Sequence, residues 1–163
     1  MDKNGILIAL SESDKARSRR DDFNTQSFPQ KVFSAIWAVE SEVNNGGFSQ
    51  FFLISSCETV GFVAEALDTI GAPRTADICR RVIASARSAG LPSEPEAISL
   101  VAGHFPYETA DELTALDDEF FEYPHNLTEL LFAYVCKHPE EFGELPKPDA
   151  WGLQGGAAGR PSD

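Results

Sequence analysis

Positive charge is what this chain lacks most. Its 163 residues carry 13 lysines and arginines against 26 aspartates and glutamates, for a formal net charge of −13. A field of that sign repels nucleic-acid phosphates and anionic membrane surfaces and draws basic partners inward, so neither direct nucleic-acid binding nor membrane binding is expected. Cysteine is scarce as well. Cys57, Cys79 and Cys136 are odd in number, widely spaced and set beside apolar residues, a pattern of reduced core thiols that offers no disulfide framework and no zinc spacing. No apolar run approaches the roughly 20 residues that a membrane-spanning helix needs. The N-terminal apolar run at residues 6–10 is short and lacks a convincing cleavage site, so the expected location is cytoplasmic.

Catalytic equipment is thin. His104, His125 and His138 lie far apart, each in a loop or beside a proline, with no nucleophile nearby. Glu122 and His125 have the i, i+3 spacing of a helical metal pair, but Pro124 stands between them, and a two-metal helical bundle needs several such motifs. Gly46-Gly47 lacks the lysine and the serine or threonine of a phosphate-binding loop. No catalytic residue, metal or cofactor is therefore expected.

What is present is ordinary globular composition, 42% apolar and 24% charged, enough for one domain with its own core. The most informative stretch runs from Glu40 to Phe52: E-S-E-V-N-N-G-G-F-S-Q-F-F. Adjacent glycines admit φ above zero and Asn44 and Asn45 can cap helix ends, so one helix should stop near Asn44 and another start near Phe48. Glu40, Asn44, Asn45, Gly46, Gly47 and Gln50 are the residues of this structural corner. Upstream, Pro29 suits a first helical turn, and Val32, Phe33, Ile36, Trp37 and Val43 share one face with Glu40. A carboxylate in an apolar stripe must find a partner. The amides opening the next helix are the preferred partner, an arginine the alternative, and the catalytic reading, a buried general base with a raised pKa, needs a second titratable partner that the sequence does not show.

Downstream, Phe48, Phe51 and Phe52 begin a short apolar helix that includes Leu53 and Ile54. Ser56 to Thr59 offers caps for a helix carrying Val60, Val63, Leu67 and Ile70 that Gly71 ends, and Pro73 opens another with Arg74, Arg81 and Arg87 outward. Residues 90–95 and 103–107 read as loops. Thr109 or Asp111 can cap a helix whose Leu113, Leu116, Phe120 and Tyr123 face the core until Pro124 stops it. Asn126 and Glu129 make a capping-box-like start to a last apolar helix. The fold expected is all-α: a single compact multi-helix domain of six to eight helices. A charged N-terminal segment (1–27) precedes the helical domain (28–142), and a Gly- and Pro-rich tail (143–163) follows, with Trp151 as its anchor.

Acidity is concentrated in the second half. Residues 1–93 hold 11 acids and 10 bases, whereas residues 94–163 hold 15 acids and 3 bases. Asp111, Glu112, Asp118, Glu119 and Glu122 fall on the helix side opposite the core stripe, with Glu108 at the edge and Asp117 nearer the border. With Asp117 counted, the carboxylates between residues 111 and 122 average one per roughly 3 Å of axis, against about 3.4 Å per phosphate along one DNA strand.

The corner segment resembles a family of acidic bacterial proteins, some of them described as DNA mimics. The likeness extends through residues 66–72, then Leu116-Asp117 to Phe120, then Leu127, Leu130, Tyr134 and Val135, covering about residues 29–142. It departs at Ile54, where the family often carries asparagine, so no polar role is transferred there. The resemblance implies a non-enzymatic acidic protein that occupies the DNA-binding face of a basic partner such as a transcriptional regulator. Homodimerisation is also expected, because one acidic helix is short beside a DNA-binding footprint. The alternatives are an immunity- or inhibitor-type interaction module and a metal-dependent enzyme.

Overall fold

The computed structural model describes residues 1–16, 22–55, 57–92 and 98–146. Among these the regular structure is helical: α1 (Lys3–Glu12), α2 (Phe28–Ile54), α3 (Cys57–Thr69), α4 (Pro73–Ser88), α5 (Ile98–Ala102), α6 (Tyr107–Phe121), α7 (Leu127–Cys136) and α8 (Pro139–Phe142), with one 3-10 turn at Phe23–Thr25. The all-α expectation holds, within the six to eight helices foreseen. Arg17, Arg19 and Arg20, Ser56, the end of the 90–95 loop and Trp151 with the tail from residue 147 lie outside the described residues.

Helix α2 is the hub, touching α3, α5, α6 and α7. Ser27 opens it by accepting a 3.4 Å hydrogen bond from the Gln30 N–H, and Pro29 sits in the first turn. Its first half buries Val32, Phe33, Ile36, Val39 and Val43, and its second half buries Phe48, Phe51 and Phe52. Between them Gly46 (φ −167°) and Gly47 (φ 72°) leave helical geometry, which is the expected corner. Leu53 and Ile54, by contrast, are exposed at the end of the helix.

Helices α3 and α4 form a hairpin closed by Gly71 (φ 87°) and Pro73, both as expected. Helix α6 then packs on α2 and α4 through Leu113, Leu116 and Phe120, the Phe120 ring meeting Phe48 edge-on at 5.5 Å. Neither Thr109 nor Asp111 caps α6. It starts earlier, at Tyr107, behind Pro106, with no side-chain cap. Asn126 does cap α7, accepting from the Glu129 N–H at 3.1 Å. Of the thiols, Cys79 is buried as expected and its pKa is pushed up to about 12 by burial, whereas Cys136 is exposed.

The N-terminal segment is more integrated than its charge pattern suggests. Asp2 caps α1, accepting from the Gly5 N–H at 2.7 Å, and Ile6, Leu7 and Leu10 are buried where α1 packs on α7. Gln30, only 1% exposed, ties both flanks to the hub. Its Nε2 donates to the Lys15 carbonyl at 2.9 Å and to the Glu141 carbonyl at 3.2 Å.

Candidate functional site

The corner and the acidic helix, 69 residues apart in sequence at their bonded pair, meet in space. Phe48, the first residue past the glycines, donates its N–H to Asp117 Oδ1 at 2.7 Å. Asp117 thus supplies the carboxylate that the new helix start demands. Glu40 does not do this. It lies a turn before the corner, and its Oε1 is buried with no hydrogen-bond partner. Burial alone pushes Glu40 up from its ordinary 4.5 to about 7. Burial also raises Asp117, against the lowering effect of the Phe48 amide.

Gly47 is obligatory here on two counts. Its φ of 72° is left-handed, and a Cβ at this position would lie 2.3 Å from Asp117 Oδ2. At Gly46 a Cβ would meet the Gln50 Cβ at 2.8 Å, while the Gln50 amide reaches back over the corner to Glu42 Oε2 at 3.2 Å. Asn44 donates from Nδ2 to the Glu40 carbonyl at 2.7 Å and meets the Tyr123 hydroxyl at 2.8 Å. Asn45 is exposed.

Tyr123 is therefore not the core residue that its place in the apolar stripe suggested. Helix α6 has ended at Phe121, and Tyr123 is the one non-glycine with positive φ (47°) among the described residues, 41% exposed. Burial and the charge of Glu40 both raise its phenol, and the Asn44 bond opposes them. Asp117 and Tyr123 are two clamps that fix the last turn of α6 against the corner. The corner residues are thereby positioning residues for the acidic helix.

The six acids of the expected face divide into two groups. Glu119 is engaged by Arg81 of α4 through two parallel bonds, Nη1 to Oε1 at 2.9 Å and Nη2 to Oε2. Arg81 also donates from Nε to Asp77 at 3.2 Å, and its guanidinium holds Glu119 below the usual carboxylate range. Glu112 accepts from Ser85 Oγ of α4 at 2.6 Å. Glu108, Asp111, Asp118 and Glu122 are exposed and make no ion pair among the described residues. At 3.6 residues per turn, Asp111, Asp118 and Glu122 lie within about 40° of one another on the outward face, with Glu108 about 40° beyond.

A family profile described as DMP19-like protein matches residues 24–138, well over half of the chain. The chain belongs to the DMP19-like family. This is the DNA-mimic family that the corner segment resembles, and the matched span runs from the 3-10 turn through α7. It takes in both clamps and the whole of the acidic helix. No curated protein and no solved structure matches the chain.

His125 Nδ1 lies 3.1 Å from Thr75 Oγ1, and His138 Nδ1 lies 3.0 Å from Glu140. No group of three or more His, Cys, Asp or Glu able to hold a metal ion occurs among the described residues. No described helix is long and apolar enough to cross a membrane. Sequence reasoning missed Asp117 clamping the corner, although Asp117 stood at the border of the acidic face. For the outward arginines of α4 a solvated face was the default reading and pairing with the acidic helices the alternative, and Arg81 takes the alternative by engaging Glu119.

Proposed function

We propose that this DMP19-like protein is a non-enzymatic acidic binding protein that presents phosphate-like charge to a basic, DNA-binding partner such as a transcriptional regulator. The observation that carries the proposal is the outward acidic face at α6, where Glu108, Asp111, Asp118 and Glu122 are exposed and make no ion pair among the described residues. Family membership adds to it, because DNA mimicry is the activity that the family's description implies. The exposed rings of Tyr107 (84%) and Phe121 (44%) flank these acids on the same helix. Exposed aromatics beside charge favour a protein contact over a merely solvated face.

Glu112, Asp117 and Glu119 are spent on α4 and the corner, so the charge left to a partner is sparser than the sequence count. Four carboxylates over residues 108–122 span about 21 Å, roughly one per 5 Å of axis. One strand of DNA offers a phosphate every 3.4 Å or so. A second copy of the chain would supply the missing length, and we include homodimerisation in the proposal for that reason. A cytoplasmic location, where such a partner works on DNA, is part of the same proposal.

The test is recovery of partners from lysate on the purified protein, repeated with duplex DNA as competitor and at raised salt. The expected result is a basic DNA-binding protein, displaced by DNA and lost from a D111N/D118N/E122Q variant. Binding that persists unchanged in that variant overturns the proposal. The second reading, an inhibitor or immunity-type module, predicts the same acidity and a partner indifferent to DNA.

A further inference from the structure

Glu40 is a buried titratable group that neither the acidic face nor the contacts with α4 use. It stands on α2 one turn before Asn44, and its Oε1 is sealed from solvent with no hydrogen-bond partner. Beside it is a small polar clamp. Asn44 donates from Nδ2 to the Glu40 backbone carbonyl at 2.7 Å and exchanges hydrogen bonds with the Tyr123 hydroxyl at 2.8 and 3.1 Å. The charge of Glu40 bears on the Tyr123 phenol, so its carboxyl lies close to this clamp. Both clamp residues are at the surface, and Tyr123 holds a left-handed φ of 47° that costs a non-glycine residue free energy. A strained turn is thus kept shut at the solvent edge, next to a carboxyl with nothing to bond.

We propose that Glu40 and the Asn44–Tyr123 clamp form a proton-operated latch on the last turn of α6. With its proton on, the Glu40 carboxyl is tolerated in its apolar surroundings and the clamp stays shut. With its proton off, the carboxylate gains by reaching water, and the exposed corner offers the way out by parting Asn44 from Tyr123.

The groups around the corner favour this direction. On α2, Glu42 accepts from Gln50; across the corner stand Tyr123 and Asp117, the latter bonded to the Phe48 N–H and acted on by Asp118. All of these are acids or a phenol. The helices packed on α2, which are α3, α5, α6 and α7, bring no base close enough to counter the burial of Glu40, which pushes it up to about 7. Protonation of Asp117 acts on a different bond, the one from Phe48, and loosens the corner on acidification instead. Asp118 and Glu122 flank the latch, so its opening alters one end of the acidic face. The inference concerns the free protein and stands without a partner; where the α6 acids do meet one, the latch makes that end of the contact proton-dependent.

Carbon-13 NMR of the side-chain carboxyls follows Glu40 in the full chain, with E40Q identifying its resonance. The expected titration lies near 7 in the unaltered chain. It should fall toward the ordinary 4.5 in N44A and in Y123F, which keeps the ring and loses only the bond to Asn44. A clamp that opposes ionisation is opposed by ionisation in equal measure, which hydrogen exchange reads. The amides of Glu122 and Tyr123 bond to the Asp118 and Phe120 carbonyls at 3.2 and 3.0 Å. Relative to E40Q, they should lose protection by about tenfold between pH 6 and pH 8. Glu40 titrating at its ordinary position, or still near 7 in both clamp variants, overturns the latch. So does protection at Glu122 and Tyr123 that follows the same course in E40Q as in the unaltered chain. A loss that depends on denaturant as steeply as that of the α2 core amides reports whole-molecule unfolding and also overturns it. If Y123F does not fold, the exchange comparison decides alone, since E40Q leaves the bonds of the clamp intact.

Discussion

Glu40 and Gly47 show how single residues shape the corner. The folded protein holds the Glu40 carboxyl at about 7 against an ordinary 4.5, because burial penalises its charge and no donor meets Oε1. Between those values the folded state binds more proton than the unfolded one. The stabilisation is complete below about pH 4.5 and lost as pH rises through 7. Glu40→Gln should therefore leave stability nearly unchanged at pH 4 and raise it at pH 8, by up to about 3 kcal/mol at 1.36 kcal/mol per pH unit. Chemical denaturation at the two pH values measures this, and an equal effect at both would mean that ionisation of Glu40 is not resisted. Gly47→Ala meets both a left-handed φ and the Asp117 carboxylate, and should cost about 1–3 kcal/mol. Asp117→Ala removes the acceptor for the Phe48 amide and should cost about 1–2 kcal/mol, the usual worth of a helix cap. The double variant should cost less than the sum, because removing Asp117 relieves the clash and leaves only the backbone strain. Additive costs from thermal unfolding of the three variants would mean that the two residues do not share one contact.

At the scale of the element, α6 is a helix with three sides. One side, Leu113, Leu116 and Phe120, is core; another, Glu112 and Glu119, is bonded to α4; the third, Glu108, Asp111, Asp118 and Glu122, faces solvent. The two acidic sides should respond oppositely to neutralisation. E119Q should disturb the α4 contact, leaving Arg81 short of its bidentate partner, and should change partner recovery little. D111N/D118N/E122Q should leave the melting temperature unchanged or higher and abolish salt-sensitive binding. A variant set in which E119Q alone abolishes binding would place the interface on the α4 side. The core side was legible in the sequence because its period is local and written in large apolar residues. The Gly46-Gly47 corner was legible for the same reason, since two adjacent glycines announce their own geometry. The division of the acids was not, because the choice between solvent and Arg81 depends on α4, which lies 38 residues earlier than Glu119. Nor could spacing assign the Phe48 amide to Asp117 rather than to Glu40, since both carboxylates stand near the corner and only the folded path chooses. Helix α1 was hidden for a different reason: a short apolar run beginning after Gly5, next to a mixed-charge stretch, offers too few turns for its period to show.

At the scale of the whole molecule, a net charge of −13 placed mostly after residue 93 sets a long-range repulsion against the short-range contacts that close the fold. Internal cations offset part of it. Arg81 with Glu119, Arg80 with Asp68, and Lys3 with Glu129 each bring a base from the first half onto an acid. The last of these joins α1 to α7, and the first joins α4 to α6, so the nearly neutral half of the chain serves as counter-charge to the acidic half. Part of what remains stands on the outward acids at α6, where Asp118 and Glu122, one helical turn apart, lie within a Debye length of about 8 Å at physiological salt. Screening should relieve that repulsion more than it weakens three exposed ion pairs, which are individually worth little. The melting temperature at pH 8 is therefore expected to rise with added sodium chloride, and to rise less in D111N/D118N/E122Q. A melting temperature that falls with salt in the unaltered chain would mean that the inter-half ion pairs dominate. In that case the acidic half would be held in place by its bases and would offer little unbalanced charge to a partner.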